Sequence, residues 1–130
     1  MTAATIAFIV GRIIFGLYWL EAAYAHIFKP AGLIGYAQFK GVKSPKTAVI
    51  GSGILALIGG LSILLGVWTN IGIIALVLFL IGVSFKIHPY WKETDPTAKM
   101  NDRIAFMKNM ALIGGLLMFF AIASWYPSAF

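Results

Sequence analysis

"LIGGLSILLGVWTNIG", residues 57–72, is an apolar run that turns back on itself. The segment "GVWTNIG" (66–72) leaves only a few residues between two long apolar stretches. Helices flanking so short a turn must be antiparallel neighbours. Working outward, the chain of 130 residues is 61% hydrophobic and only 11% charged, with a mean hydropathy of +0.92. A soluble domain of this size cannot bury that much apolar surface. Crossing a hydrocarbon core of ~30 Å takes about 20 helical residues. Four segments satisfy this, roughly 4–28, 47–68, 71–88 and 104–125. The expected fold is therefore all-α: an antiparallel up-down bundle of four transmembrane helices, one domain over 1–130, with no soluble domain. The first segment lacks a basic start and three more spans follow it, so it reads as a span rather than a cleaved signal peptide.

The absence of cysteine excludes disulfides, thiolate zinc sites, iron–sulfur ligation by this chain and a cysteine nucleophile. No phosphate-cradling glycine loop, hydrolase elbow or zinc-binding helix motif is present. The net charge of +6 is a topology signal, not a nucleic-acid footprint. Lys29, Lys40, Lys43 and Lys46 lie between the first two spans, and Lys86, Lys92, Lys99 and Arg103 lie between the last two. The Thr69–Asn70 turn and both tails carry no lysine or arginine. The positive-inside rule then places both termini outside the cytoplasm. Along the second span Ala48, Ser52, Ala56 and Gly60 recur every four residues, a small-residue face suited to close helix approach.

Arg12 and Glu21 sit inside the first span, where an ionisable group costs about 2.5–3.5 kcal/mol near the helix centre. They cannot pair with each other, because nine residues put them on opposite faces and about 13.5 Å apart along the axis. Arg12 shares its stripe with Phe15, Gly16, Trp19, Ala23 and His26, whereas Glu21 goes with Tyr18, Tyr24 and Phe28. For Arg12 the alternatives are snorkelling to the near surface or contact with a ligand. For Glu21 they are a neutral or lysine-tied carboxyl within the bundle, or contact with a ligand or partner subunit.

The most polar stretch, "KIHPYWKETDP" (86–96), admits two explanations. Glu21, His26, Lys86, His88, Lys108 and Asn109 all fall toward the basic ends of their spans. Together they could assemble a polar pocket rimmed by Tyr24, Tyr90 and Trp91. The simpler alternative is an interfacial belt of aromatic and basic residues, with Pro89 and Pro96 breaking the helix as it leaves lipid. The candidate cofactor-binding or partner-contact set is Arg12, Trp19, Glu21, His26, His88, Trp91, Lys108 and Asn109. No residue is assigned a catalytic role and none a metal. Axial ligation of haem by His26 and His88 is the minor alternative.

Four stretches together are similar to the DoxX family of small four-helix membrane proteins: "GRIIFGLYW" (11–19), "LIGGLSILLGVWTNIG" (57–72), "HPYW" (88–91) and "FMKNMALIGGLL" (106–117). The resemblance runs over nearly the whole chain. It implies a multi-pass protein of the bacterial cytoplasmic (inner) membrane, associated in named relatives with thiosulfate and quinone oxidoreduction or oxidative-stress complexes. The expected function is a membrane subunit or anchor of a redox-linked, quinone-associated assembly, rather than an enzyme acting alone. A non-catalytic pathway or binding protein for a small molecule or ion, lined by Arg12, Glu21 and His26, is the alternative. The expected partners are the lipid bilayer and other membrane subunits or further copies of the chain, with no nucleic acid.

Overall fold

The computed structural model describes residues 1–126. Residues 127–130, the end of the tail that the topology argument places outside the cytoplasm, lie outside the described residues. Five α-helices form: α1 (Ala3–Phe28), α2 (Ala31–Phe39), α3 (Pro45–Leu65), α4 (Thr69–Lys86) and α5 (Pro96–Met118). Short 3₁₀ turns follow at Tyr90–Lys92 and Phe119–Ala121. There is no strand among the described residues. The segments Ala3–Phe28, Pro45–Leu65, Thr69–Lys92 and Pro96–Ala121 are each long and apolar enough to cross a membrane. The four-helix reading of the sequence thus holds.

The boundaries hold less well, for local reasons. The third helix of the chain starts two residues early, with Pro45 in its first turn. It stops at Leu65 because Gly66 takes the left-handed conformation (φ +70°) that most residues avoid. The largest shift is in α5, expected from 104 but beginning at Pro96. Asp95 caps it by accepting from the Ala98 amide at 2.9 Å. Pro96 occupies the first turn, where its missing N–H costs nothing. Pro96 thus begins a helix instead of breaking one, while Pro89 does lie in the break after α4. Helix α2 lies in what the sequence presents as a loop: nine residues with a weak apolar periodicity and no side-chain cap give little signal.

Packing follows the hairpin. The α1 helix lies chiefly on α3; α3 also packs on α4, and α4 in turn on α5. Trp19, Ala56, Ile63, Ile73, Leu76 and Leu116 form the centre of the core. Helices in lipid gain little from hydrophobic association, so close backbone approach carries more of the load. Gly59 faces Leu76 so tightly that any added Cβ would collide with the leucine side chain. The expected small-residue face is real at Ala56 and Gly60, which are buried, but Ala48 at its end is exposed. The long connections, 29–44 and 87–95, gather at one end of the bundle, where Lys40 bridges them. The tight α3–α4 turn and the segment reaching Trp125 share the other, where Arg12 meets both.

Substitution at two glycines should act in opposite directions. Gly59→Ala forces Leu76 to move and should destabilise the bundle by about 1–3 kcal/mol. Gly114→Ala meets nothing within 4 Å and should leave stability unchanged or raise it by up to about 1 kcal/mol through helix propensity. Thermal unfolding in one detergent checks both signs.

Candidate functional site

The residues that end α4 and connect it to α5 carry most of the polar chemistry. His88 follows the last turn of α4, Glu93 follows the 3₁₀ turn, and Asp102 lies in the second turn of α5. Lys40 reaches them from the C-terminal end of α2. Its ammonium donates to Asp102 Oδ2 at 2.6 Å and to Glu93 Oε1 at 2.8 Å. The other oxygen of Asp102 accepts from the His88 Nδ1–H at 3.0 Å. The Lys40 and Asp102 side chains are only 9% and 6% exposed, so this is a buried pair, and the second carboxylate on Lys40 and the second donor on Asp102 help to offset its desolvation. Burial alone would push the lysine pKa down. The hydrogen bonds from Asp102 and Glu93 outweigh it and hold the ammonium well above the ordinary lysine value.

Beneath α2 lies a cavity of about 490 Å³, walled by α1, α2, α3 and α4. Its surface is overwhelmingly apolar, with Leu33, Leu55, Leu78, Phe79 and Val83 among its walls. Both histidines of the chain line it. His26, from the last turn of α1, donates through Nδ1–H to the carbonyl oxygen of Ala22 at 2.7 Å. Its ring stands nearly edge-on to Phe79, with centroids 5.4 Å apart. Gly53 makes room for it, since a Cβ there would lie 2.7 Å from His26 Cβ. Both imidazoles are therefore anchored through Nδ1, leaving Nε2 as the atom each can offer. Tyr36, Thr47, Ser52 and Lys86 add polar groups around the same space. The Ser52 hydroxyl is itself committed to Val49 O at 2.9 Å.

The other candidates do not join this cavity. Arg12 is at the opposite end of the bundle, donating to the carbonyl oxygens of Trp125 and, at 3.3 Å, Leu64. Instead of snorkelling freely, it ties α1 to the end of α3 and to the tail. Trp19 is a core residue, 1% exposed, set edge-on against Phe79. Glu21 is exposed beside Tyr18 and Tyr24, with no ion pair among the described residues. Trp91 packs with Phe85, Tyr90 and Phe106 in an aromatic cluster that seats the linker on α5. Lys108 is exposed and Asn109 buried on α5. Of the eight candidates, His26 and His88 come together at one cavity. No cluster suited to a metal exists among the described residues.

The sequence marks Lys40 only as a topology lysine and gives Glu93 and Asp102 no role. A usable signal was present: the chain has only four acidic residues against ten basic ones, so each carboxylate is a candidate partner for a lysine.

Removing the cation should be costly. Lys40→Met removes the cation shared by Asp102 and Glu93, leaving Asp102 buried with His88 as its one remaining partner, and should destabilise the protein by about 3 kcal/mol. A lysine pKa raised on folding stabilises fully below its unfolded value, and that contribution is lost only as pH climbs through the higher folded one. The wild-type unfolding midpoint should show no loss from this group up to pH 10.5. Unfolding of wild type and variant across alkaline pH measures both.

Comparison with known proteins gives one result. The sequence model of the DoxX family matches residues 7–89, which is more than half of the chain and takes in α1 to α4, the cavity walls and His88. No curated protein and no solved structure matches.

Proposed function

We propose that this chain, which belongs to the DoxX family, is a membrane subunit of a redox-linked assembly that takes a quinone-type molecule into the cavity beneath α2. The observation that carries the reading is the pairing of both histidines with one otherwise apolar cavity among membrane-spanning helices. A volume of about 490 Å³ falls in the range of sites that enclose a small organic ligand, roughly 300–1,000 Å³. Such sites are mostly hydrophobic, with a few polar groups that fix orientation. A ring bearing polar oxygens suits these walls: its body meets Leu55, Leu78 and Phe79, and its oxygens find the imidazoles. The lining residues thus fit the group; when bound, it would supply two-electron carrier chemistry. What the chain itself does is hold the ring and set the orientation of the two imidazoles.

The same reading places the protein in the bacterial inner membrane with the basic end of the bundle in the cytoplasm and both termini outside, supported by the asymmetry of lysine and arginine. It also assigns the contact with another membrane subunit, or with a second copy, to the outer face of α1. There the carboxylate of Glu21 would otherwise meet lipid.

The anchoring of each imidazole through Nδ1 is also how histidines that ligate metals are commonly held, which gives haem as a second reading. Purification in mild detergent separates the two. The proposal expects quinone in the organic extract, identified by mass spectrometry, and a colourless protein. A Soret band would replace quinone with haem, and bulk lipid alone would remove the ligand from the account. The chain lacks native cysteine, so orientation can be read without background. Lys43→Cys and Lys99→Cys should resist impermeant maleimide applied to intact cells, and labelling of either would reverse the assigned topology.

A further inference from the structure

The hydrogen-bond roles of the two histidines bear on which oxidation state the cavity prefers. A carbonyl or carboxylate oxygen can only accept, so the protons of both Nδ1 atoms are spoken for: His26 gives its proton to Ala22 O and His88 to Asp102 Oδ1. A neutral imidazole with its proton on Nδ1 has a bare lone pair on Nε2. In the neutral state both cavity imidazoles then act toward a ligand as acceptors. Acceptors need a proton from their partner. A quinone has two carbonyl oxygens and no proton to give, whereas the hydroquinone has two hydroxyl groups, each able to donate. From these roles we infer that the cavity is built for the reduced, dihydroxy form of the ring and discriminates against the oxidised form. This rests on the proposed quinone-type ligand and adds to it the identity of the bound state and the residues that select it.

The remaining polar groups do not cancel the preference. Tyr36 and Thr47 carry hydroxyls that rotate to donate or accept, so they serve either form. Ser52 has given its proton to Val49 O and can only accept, which again favours a hydroxylated ligand. Lys86 is the one obligate donor, and it is exposed at the end of α4. The oxygen of a hydroxyl accepts from it as a carbonyl does, so it adds no selectivity against the hydroquinone. On the other side, an acceptor faced with a carbonyl oxygen leaves two lone pairs opposed and neither satisfied, a cost borne only by the oxidised ring.

Asp102 has a positioning role here. By accepting from His88 Nδ1–H it fixes which nitrogen carries the proton. Lys40 in turn keeps Asp102 in place. Selectivity at the cavity therefore depends on a carboxylate that does not line it.

Isothermal titration of the detergent-solubilised full chain with a decyl-substituted benzoquinone, and separately with its hydroquinone kept reduced under argon, tests the inference. The hydroquinone should bind about tenfold more tightly. His26→Leu, and independently His88→Leu, should lower hydroquinone affinity several-fold while leaving quinone affinity unchanged or raising it, since the opposed lone pair is gone. Equal affinities, or tighter binding of the quinone, would overturn the inference and leave the ligand reading standing. So would variants that weaken both forms alike, because the histidines would then shape the cavity without choosing its occupant. Failure of both forms to bind wild type would overturn the inference and the reading beneath it.

Discussion

The Lys40 ammonium, shared between Asp102 and Glu93, fixes where α2 lies and so whether the cavity has a roof. A helix of nine residues does not hold its own conformation in water or at an interface. This one has no side-chain cap, and its main packing partner is α3 alone. Its far end is secured by one side chain that crosses to α5 and the α4–α5 linker. Because the same Asp102 also receives the His88 Nδ1–H, the group that closes the roof also orients an imidazole in the wall. Roof and wall are coupled through one carboxylate.

The bundle is fastened in two different ways along its length. Through the middle, contacts are steric: Gly53 admits His26, and Gly59 admits Leu76, so the helices approach as closely as their backbones allow. At the two ends, contacts are polar and bring in chain segments the glycines cannot reach. Arg12 holds the last turn of α3 and the tail through two backbone carbonyls, and Lys40 holds α2 against α5 through two carboxylates. Such bonds matter at a membrane boundary, where a lost partner leaves a charge in a poorly solvating place. The many exposed leucines and isoleucines on the outer faces, such as Ile14 and Leu17, are what a lipid-facing surface requires.

The four spans were legible because they rest on length and hydropathy, which need no knowledge of neighbours. The split of α1 into two faces was equally readable from its 100° spacing: Gly16, Trp19 and Ala23 are buried while Tyr18, Glu21 and Tyr24 are exposed. The start of α5 was not, because hydropathy is blind to a polar helical turn, and the Asp95 cap with Pro96 was the signal that could have marked it. The site was half legible. His26 and His88 were placed at one depth by counting along the spans, but Lys40 and Asp102 are 62 residues apart and on segments read as loop. Nothing in their local sequence says they meet. Conversely, Trp19 carried the same aromatic and polar marks as a site residue and serves the core, since a stripe cannot distinguish a cavity wall from the packing behind it.

If the Lys40 ion pair holds α2 over the cavity, access to the cavity measures that hold without a ligand. Ser52 lines the cavity, and with no native cysteine in the chain a Ser52→Cys protein reports on it alone. Its alkylation by a small water-soluble maleimide should be slow when Lys40 is present. Adding Lys40→Met should raise the rate on the order of tenfold, by freeing α2 to open locally while the four spans stay folded. An alkylation rate that is the same with and without Lys40, in proteins of unchanged helix content, would contradict the claim.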